Sequence, residues 1–131
     1  MKRRDENDKP RGYRGLIVWQ MGIEFADRVL TLCDAIPARR GAGLVPQLRR
    51  AAISVPSNIA EGYDRPAAEQ LTYLRHSRGS LWEAATQLEL VKRRLLAKTE
   101  TALSLLAYAD ELSRALHGYM RHVGGSDGES N

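Results

Sequence analysis

The sequence is poor in cysteine, in aromatic residues and in long apolar runs. Cys33 is the only cysteine among 131 residues, so an internal disulfide framework is excluded, and its apolar surroundings favour a buried thiol over a nucleophile. No apolar run approaches the roughly 20 residues needed to cross a bilayer, and the charged start MKRRDENDKP is not followed by the apolar region of a signal peptide. We therefore expect a cytoplasmic protein with no membrane association.

Motifs for catalysis and metal binding are also missing. His76, His117 and His122 do not follow a metal-binding spacing such as HExxH, a CxxC pair is impossible, and no glycine-rich phosphate loop occurs. A helical ribonuclease of the HEPN type places a histidine a set distance after an arginine. Arg114 lies too close to His117 and too far from His122 for that spacing. We expect no enzyme, no metal site and no cofactor.

The charge balance permits binding to nucleic acid without requiring it. Lys and Arg total 20 against 16 Asp and Glu, a net charge of +4. The candidate phosphate contacts fall in one connector, one helix start and one helix end: Arg39, Arg40, Arg49, Arg50, Lys92, Arg93 and Arg94. Adjacent residues on a helix point about 100° apart, so a pair of cations does not by itself form a patch. In a single subunit we therefore interpret these residues as solvated surface charges. Repetition around a ring of subunits would make them a charged annulus.

Apolar residues recur at steps of three and four in four segments. These periods predict helices over about Leu16–Ile36, Pro46–Gly62, Ala67–Ala97 and Thr101–Val123. Short connectors place such helices antiparallel, so the predicted fold is all-α, an up-down-up-down four-helix bundle over residues 16–123. Residues 1–15 have no apolar period and predict a disordered basic arm, and residues 124–131 predict a flexible tail.

The first predicted helix has more apolar surface than one core requires. A second stripe lies beside the one that contains Phe25 and Val29, and its members are Trp19, Ile23, Ala26, Leu30 and Cys33. Trp19, Ile23 and Leu30 cannot all face a core that the first stripe already serves. Either the helix buries both stripes within the bundle or the second stripe meets another subunit. Because a large apolar patch left in water is unusual, we favour a subunit interface.

The segment SVPSNIAEG combines a proline with small and polar residues. Pro56 cannot donate a hydrogen bond to the carbonyl of Ala52. The polar stripe beside the core positions of this helix, together with Pro56, gives the candidate packing or interface residues Gln47, Ser54, Pro56, Asn58 and Glu61. A functional interpretation makes Asn58 and Glu61 a patch for a partner or RNA. We favour a structural one, in which these polar groups satisfy backbone groups near Pro56 or pair across a subunit seam.

Three stretches resemble a known family: VWQ at Val18–Gln20, QLRRAAISVPSNIAEGY at Gln47–Tyr63 and RGSLWEAATQLEL at Arg78–Leu90. They are similar to the four helix bundle proteins, also called 23S ribosomal RNA intervening-sequence proteins, and the resemblance covers about residues 16–123. It implies an antiparallel four-helix bundle, assembly into a homopentamer, and binding to RNA or DNA. Two positions depart from the family pattern, Met21 where lysine is usual and Val45-Pro46 where a hydroxyl residue often caps the helix.

The resemblance also leaves a second function open. Accessory proteins of diversity-generating retroelements look similar in fold, and they bind nucleic acid and a reverse transcriptase. The chain is therefore expected either to bind nucleic acid as a ring or to act as a protein adaptor, for example for a reverse transcriptase or a ribonucleoprotein.

Overall fold

The computed structural model describes residues 11–128, and within this range every regular element is helical. A 3-10 helix over Gly12–Gly15 is followed by five α-helices: α1 Ile17–Asp34, α2 Ala38–Gly41, α3 Val45–Gly62, α4 Ala67–Arg93 and α5 Thr99–Gly128. The all-α prediction is confirmed. None of the helices in this range is both long enough and apolar enough to span a membrane.

The four long helices share one apolar core. α3 contacts α1 and α4, and α5 contacts α4 and α1, so each long helix has two long neighbours. The leucines at sevenfold spacing in α4 account for its inner face, where Leu74, Leu81 and Leu88 are buried. The other helices contribute large, fully buried side chains that include Phe25, Leu48, Ile59, Leu105, Leu112 and Leu116. Aliphatic residues therefore fill most of the core, as the scarcity of aromatic residues predicts.

α1 and α3 approach closely because a glycine faces a proline. A Cβ atom built on Gly22 would lie 3.3 Å from the Cα and Cβ atoms of Pro56. That distance is shorter than an ordinary van der Waals contact, so glycine lets the two backbones approach more closely than a residue with a Cβ would. Pro56 is buried at this crossing, and α3 continues through it to Gly62.

Three side-chain contacts fix which parts of the helices are neighbours. Asp34 at the end of α1 accepts a hydrogen bond of 2.9 Å from Arg49 near the start of α3. Gln70 near the start of α4 donates to the Tyr119 hydroxyl in the later part of α5 at 3.0 Å. Ser77 of α4 donates to the Val55 carbonyl of α3 at 2.8 Å. The end of α1 and the start of α3 are therefore at the same end of the fold.

The predicted disorder of residues 1–15 does not hold for Gly12–Gly15, which form the 3-10 helix. The reason is an aromatic contact, which cannot be predicted from the spacing of apolar residues. The Tyr13 ring packs edge-on against Trp19 with 5.3 Å between centroids, and Gln20 donates to the Arg14 carbonyl at 2.8 Å. The rest of the predicted arm, residues 1–10, lies outside the described residues.

The predicted boundaries also differ at two helix ends. α4 ends at Arg93, four residues before the predicted end at Ala97, and α5 continues to Gly128, past the predicted end at Val123. Gly124 packs close to Leu71, whose Cδ1 atom would lie 3.5 Å from a Cβ added at this glycine. Residues 129–131 of the predicted tail lie outside the described residues.

Candidate nucleic-acid interface

All seven predicted phosphate contacts lie at one end of the fold, which we call the cationic end. Arg39 and Arg40 are in α2, which joins the end of α1 to the start of α3. Arg49 and Arg50 are in the first turns of α3, and the remaining three, Lys92–Arg94, end α4. The sequence separates these groups by up to about half of the chain, and the helix packing brings them to a common end.

Arg40 links two of these groups directly. Its guanidinium donates to the backbone carbonyl of Arg94 at 3.4 Å and to that of Leu95 at 3.5 Å. Carbonyls at a helix C-terminus lack intrahelical donors and carry partial negative charge, so a cation there is favoured. Arg40 therefore stabilises the end of α4, in addition to placing charge beside Arg94.

The end of α4 is a Schellman motif with a leucine in the position that usually holds glycine. The Leu96 amide donates to the Val91 carbonyl at 3.0 Å, and the Leu95 amide donates to the Lys92 carbonyl at 3.1 Å. Leu95 has a φ of 56°, which is in the left-handed region that glycine adopts most readily. This turn ends α4 at the cationic end and exposes the Leu95 side chain.

Ion pairs engage three of the seven cations. Arg49 pairs with Asp34 at 2.9 Å, and Glu89 pairs with Lys92 at 2.9 Å and with Arg93 at 3.6 Å. The hydrogen bond from Lys92 is the main reason why the pKa of the Glu89 carboxyl is lowered. Among the described residues, the other four have no ion pair; they are Arg39, Arg40, Arg50 and Arg94. Positive charge at this end is therefore only partly neutralised.

The predicted apolar interface residues meet in a second surface, the α1–α3 groove. Trp19, Ile23, Leu30 and Pro56 all line an open groove of about 470 Å³ between α1 and α3. Ile53 completes its apolar wall and is 47% exposed, and Ile23 is 43% exposed. In the first stripe of α1, Phe25 and Val29 are buried. The second stripe divides: Ala26 and Cys33 are buried, whereas Trp19, Ile23 and Leu30 line the open groove.

The polar stripe of α3 bonds largely within the chain. Asn58 donates to the Ser54 carbonyl at 3.0 Å and to its hydroxyl at 2.8 Å, and Ser80 of α4 donates to the same hydroxyl at 2.9 Å. Gln47 donates to the Gly43 carbonyl at 3.1 Å. Glu61 is exposed. Asn58, Ser54 and Gln47 thus have hydrogen-bond partners within the chain.

Each of the three carbonyls that directly precede Pro56 accepts a hydrogen bond from a side chain. Ser57 donates to the Ile53 carbonyl at 2.8 Å, Asn58 to the Ser54 carbonyl at 3.0 Å, and Ser77 to the Val55 carbonyl at 2.8 Å. Proline interrupts the helical ladder because it has no N–H and its ring crowds the preceding turn. The carbonyl that Pro56 leaves without its helical donor is that of Ala52, so these three bonds lie beside the interrupted position and do not replace the missing bond.

A third surface, the α4–α5 groove, was not predicted from the sequence. Arg78 and Trp82 of α4 face Arg114, His117 and Arg121 of α5 across an open groove of about 380 Å³. Ser113 and Gly118 complete the lining, so among residues 11–128 no acidic side chain contributes to it. Spacings of three and four residues did mark each helix face separately, but the sequence does not show that the two faces adjoin.

Within residues 11–128, no group of three His, Cys, Asp or Glu side chains is placed to hold a metal ion. Cys33 is buried, and this burial raises the pKa of its thiol. A neutral, shielded thiol is a poor nucleophile.

Comparison with known proteins gives one family. A family model described as 23S rRNA-intervening sequence protein matches residues 14–118 of the chain. The matched range begins in the 3-10 helix, ends within α5 and includes the seven cations of the cationic end. No curated protein matches the chain significantly.

Proposed function

Because the chain belongs to the family of 23S rRNA-intervening sequence proteins, we propose that it is a non-catalytic subunit of a homopentameric ring that binds RNA or DNA. Binding would use the backbone phosphates and would not read the bases. Membership of the family names no ligand for this chain, so the proposal is argued from charge and packing.

The proposed subunit is an antiparallel up-down-up-down four-helix bundle. Contacts between early and late parts of neighbouring helices support this course, since Arg49 of α3 meets Asp34 of α1 and Gln70 of α4 meets Tyr119 of α5. On the fourth side of the bundle, Arg28 in the later part of α1 donates to Ser104 near the start of α5 at 2.7 Å. In such a bundle the α1–α3 and α4–α5 connections lie at one end, which is where the cationic end is found.

The cationic end is the observation that carries the proposal. Each cation that neutralises a phosphate releases condensed counterions, so several cations on one surface give strong, salt-sensitive binding. Arg39, Arg50 and Arg94 have no ion pair within the described residues, and all three are exposed. Five copies of this end, related by the symmetry of a ring, would form a continuous basic surface.

The α1–α3 groove supports assembly of the ring. It exposes Ile23 and Ile53 next to the partly buried Trp19 and Leu30. Stable interfaces bury roughly 800 Å² on each partner and keep aromatic and apolar residues at their centre. A neighbouring subunit packed on this groove would remove its apolar lining from water.

The same groove favours a second candidate, a protein adaptor. An apolar surface rimmed by polar residues fits a foreign protein as well as a second copy. In that case the chain would bind a protein such as a reverse transcriptase or a ribonucleoprotein component, and the cationic end would assist at most.

Salt-dependent binding tests the proposal. We expect the full chain to bind labelled RNA and DNA with an affinity that falls linearly on a log–log plot against salt. Replacing Arg39 and Arg94 together by alanine should weaken binding to all sequences alike and reduce the slope by about 0.7 for each lost single-strand phosphate contact. Arg65→Ala is the control, because it removes an exposed arginine from the connection between α3 and α4, at the opposite end of the fold.

Two results would overturn the proposal. Absence of binding to RNA and DNA at low salt would exclude a phosphate-binding role and favour the adaptor. Sedimentation as a monomer would exclude the ring, whereas a pentamer that loses mass when Ile23 and Ile53 are replaced by serine would support both the ring and its interface.

A further inference from the structure

The α4–α5 groove combines cations with one exposed aromatic ring. Trp82 is 54% exposed, which is unusual for the largest apolar side chain in a small protein. Arg114, His117 and Arg121 line the opposite wall from α5. Such a surface offers both charge for phosphates and a flat apolar face for a base.

Arg78 is held against the tryptophan. Its guanidinium carbon lies 5.0 Å from the centroid of the Trp82 ring, within the range of a cation–π contact. Its Nε atom is buried and has no hydrogen-bond partner. Within the described residues, Arg78 also has no ion pair, so packing holds the side chain and no carboxylate neutralises it.

The α5 wall of the groove is likewise without a neutralising partner. Arg114 and Arg121 form no ion pair and no side-chain hydrogen bond with the residues that the structure describes. Gly118 lies between them, and a Cβ built there would have no atom within 4 Å. The glycine therefore leaves space in the wall between two arginines.

We propose that the α4–α5 groove binds a single-stranded segment of nucleic acid, with one base stacked on Trp82 and phosphates held by Arg114 and Arg121. The inference rests on the proposed function and adds the strandedness of its ligand. Stacking on an aromatic side chain requires an exposed base face, which a duplex covers with neighbouring base pairs. An acidic peptide would use the arginines but would gain little from an exposed indole beside them.

Binding of three probes tests the strandedness. We would titrate the full chain with a short fluorescein-labelled oligouridine, with its DNA counterpart and with a duplex of the same length. The expected result is tighter binding of both single strands than of the duplex. Trp82→Ala should weaken single-strand binding by about 5- to 160-fold, the range expected when one stacked base is lost, and should leave duplex binding unchanged. Trp82→Phe should recover part of the loss.

The salt slope separates the aromatic contribution from the ionic one. Trp82→Ala should lower single-strand affinity without changing the slope, because it removes no charge. Arg114→Ala with Arg121→Ala should reduce the slope by about 1.4, at roughly 0.7 for each phosphate contact on a single strand. In a Trp19→Phe background that sediments like the unmodified chain, Trp82 is the only tryptophan, so quenching of its fluorescence by oligouridine would report stacking directly.

A glycine substitution tests the groove without removing any of its side chains. Gly118→Leu should fill the space between the arginines and weaken single-strand binding, while circular dichroism shows the helices retained. Gly79→Leu is the matched control, because Gly79 also has open space around an added Cβ but does not line the groove.

Several outcomes would overturn this inference while leaving the proposed function intact. One is equal binding of single strands and duplex, with Trp82→Ala and Gly118→Leu both like the unmodified chain. Another is loss of the oligomer in Trp82→Ala, which would make Trp82 a subunit contact. A third is competition by polyglutamate with no fluorescence quenching by oligouridine, which would indicate an acidic protein partner in the groove. Absence of all nucleic-acid binding would instead refute the proposed function itself.

Discussion

A substitution at Leu95 tests how the left-handed backbone at the end of α4 affects stability, and this test requires no ligand. Leu95 follows α4 with a φ of 56°, and its side chain is 68% exposed. The left-handed conformation brings the Cβ of an L-residue too close to its own carbonyl oxygen, whereas glycine has no Cβ. We predict that Leu95→Gly stabilises the protein.

The expected size follows from two opposing terms. Relief of the left-handed conformation is worth about 1–2 kcal/mol. Glycine at the same time adds conformational entropy to the unfolded chain, which costs about 0.5–1 kcal/mol. Because Leu95 is mostly exposed, little apolar burial is lost. The net gain is therefore about 0.5–1 kcal/mol, or an increase in Tm of roughly 2–4 °C for a domain of this size.

Thermal and urea denaturation measure the change, at several protein concentrations so that any effect of assembly is separated from folding. Leu95→Ala is the control: alanine keeps the Cβ and should not stabilise. The reasoning would be refuted if Leu95→Gly lowered the free energy of unfolding at all concentrations. A loss of stability only at concentrations where the chain assembles would show that the exposed leucine packs against another subunit.

Three further predictions concern buried or crowded positions. Gly62→Ala should lower the free energy of unfolding by about 1–3 kcal/mol, because the new Cβ would lie 2.6 Å from the Cβ of Tyr73. Gly79→Ala should instead raise the free energy of unfolding by about 0.5–1 kcal/mol, because an added Cβ there has open space. Urea denaturation compares the two variants. Ser77→Ala should cost about 1 kcal/mol in the same assay, because its buried hydroxyl donates to an α3 carbonyl at 2.8 Å; no change would contradict that role. Burial raises the pKa of the Cys33 thiol, so a thiol reagent should react slowly with the native protein above the pH at which free thiols react. The folded state then binds more protons than the unfolded state, and stability should fall as the pH rises through this window.

The interior of the fold was predictable because its signal is periodic. Leucines at sevenfold spacing predict one buried face over Leu74, Leu81, Leu88 and Leu95. The first three are buried, whereas Leu95 lies beyond the end of α4 and is exposed. Helix ends were harder, since α4 ends at Arg93 with a leucine in the left-handed position. Glycine is the usual signal for that turn, and its absence leaves nothing in the sequence that marks the end. The short helix α2 was missed for a similar reason, because four residues are too few to show a period.

The surroundings of Pro56 show what the sequence of a single helix can and cannot predict. Proline weakens the helical ladder, which predicts that nearby polar side chains bond to the backbone. Ser57 and Asn58 do so within α3. Ser77, twenty-two residues further along the chain, does so from α4. The need for donors could be deduced from α3 alone, but the third donor depends on the register between two helices.

Both cationic surfaces depend on that register as well. Arg39 and Arg94 were chosen from the sequence, yet their common location follows from the packing that seats Arg40 on the end of α4. In the α4–α5 groove neither half suggests a site by itself, because Arg78 on one helix and Arg114 on the next are ordinary surface charges. A binding surface made from two helices is encoded in the apolar residues that align them. For this reason the apolar residues in the cores of α4 and α5 determine whether Arg78 and Trp82 on one helix face Arg114 and Arg121 on the other, as the proposed binding of a single strand requires.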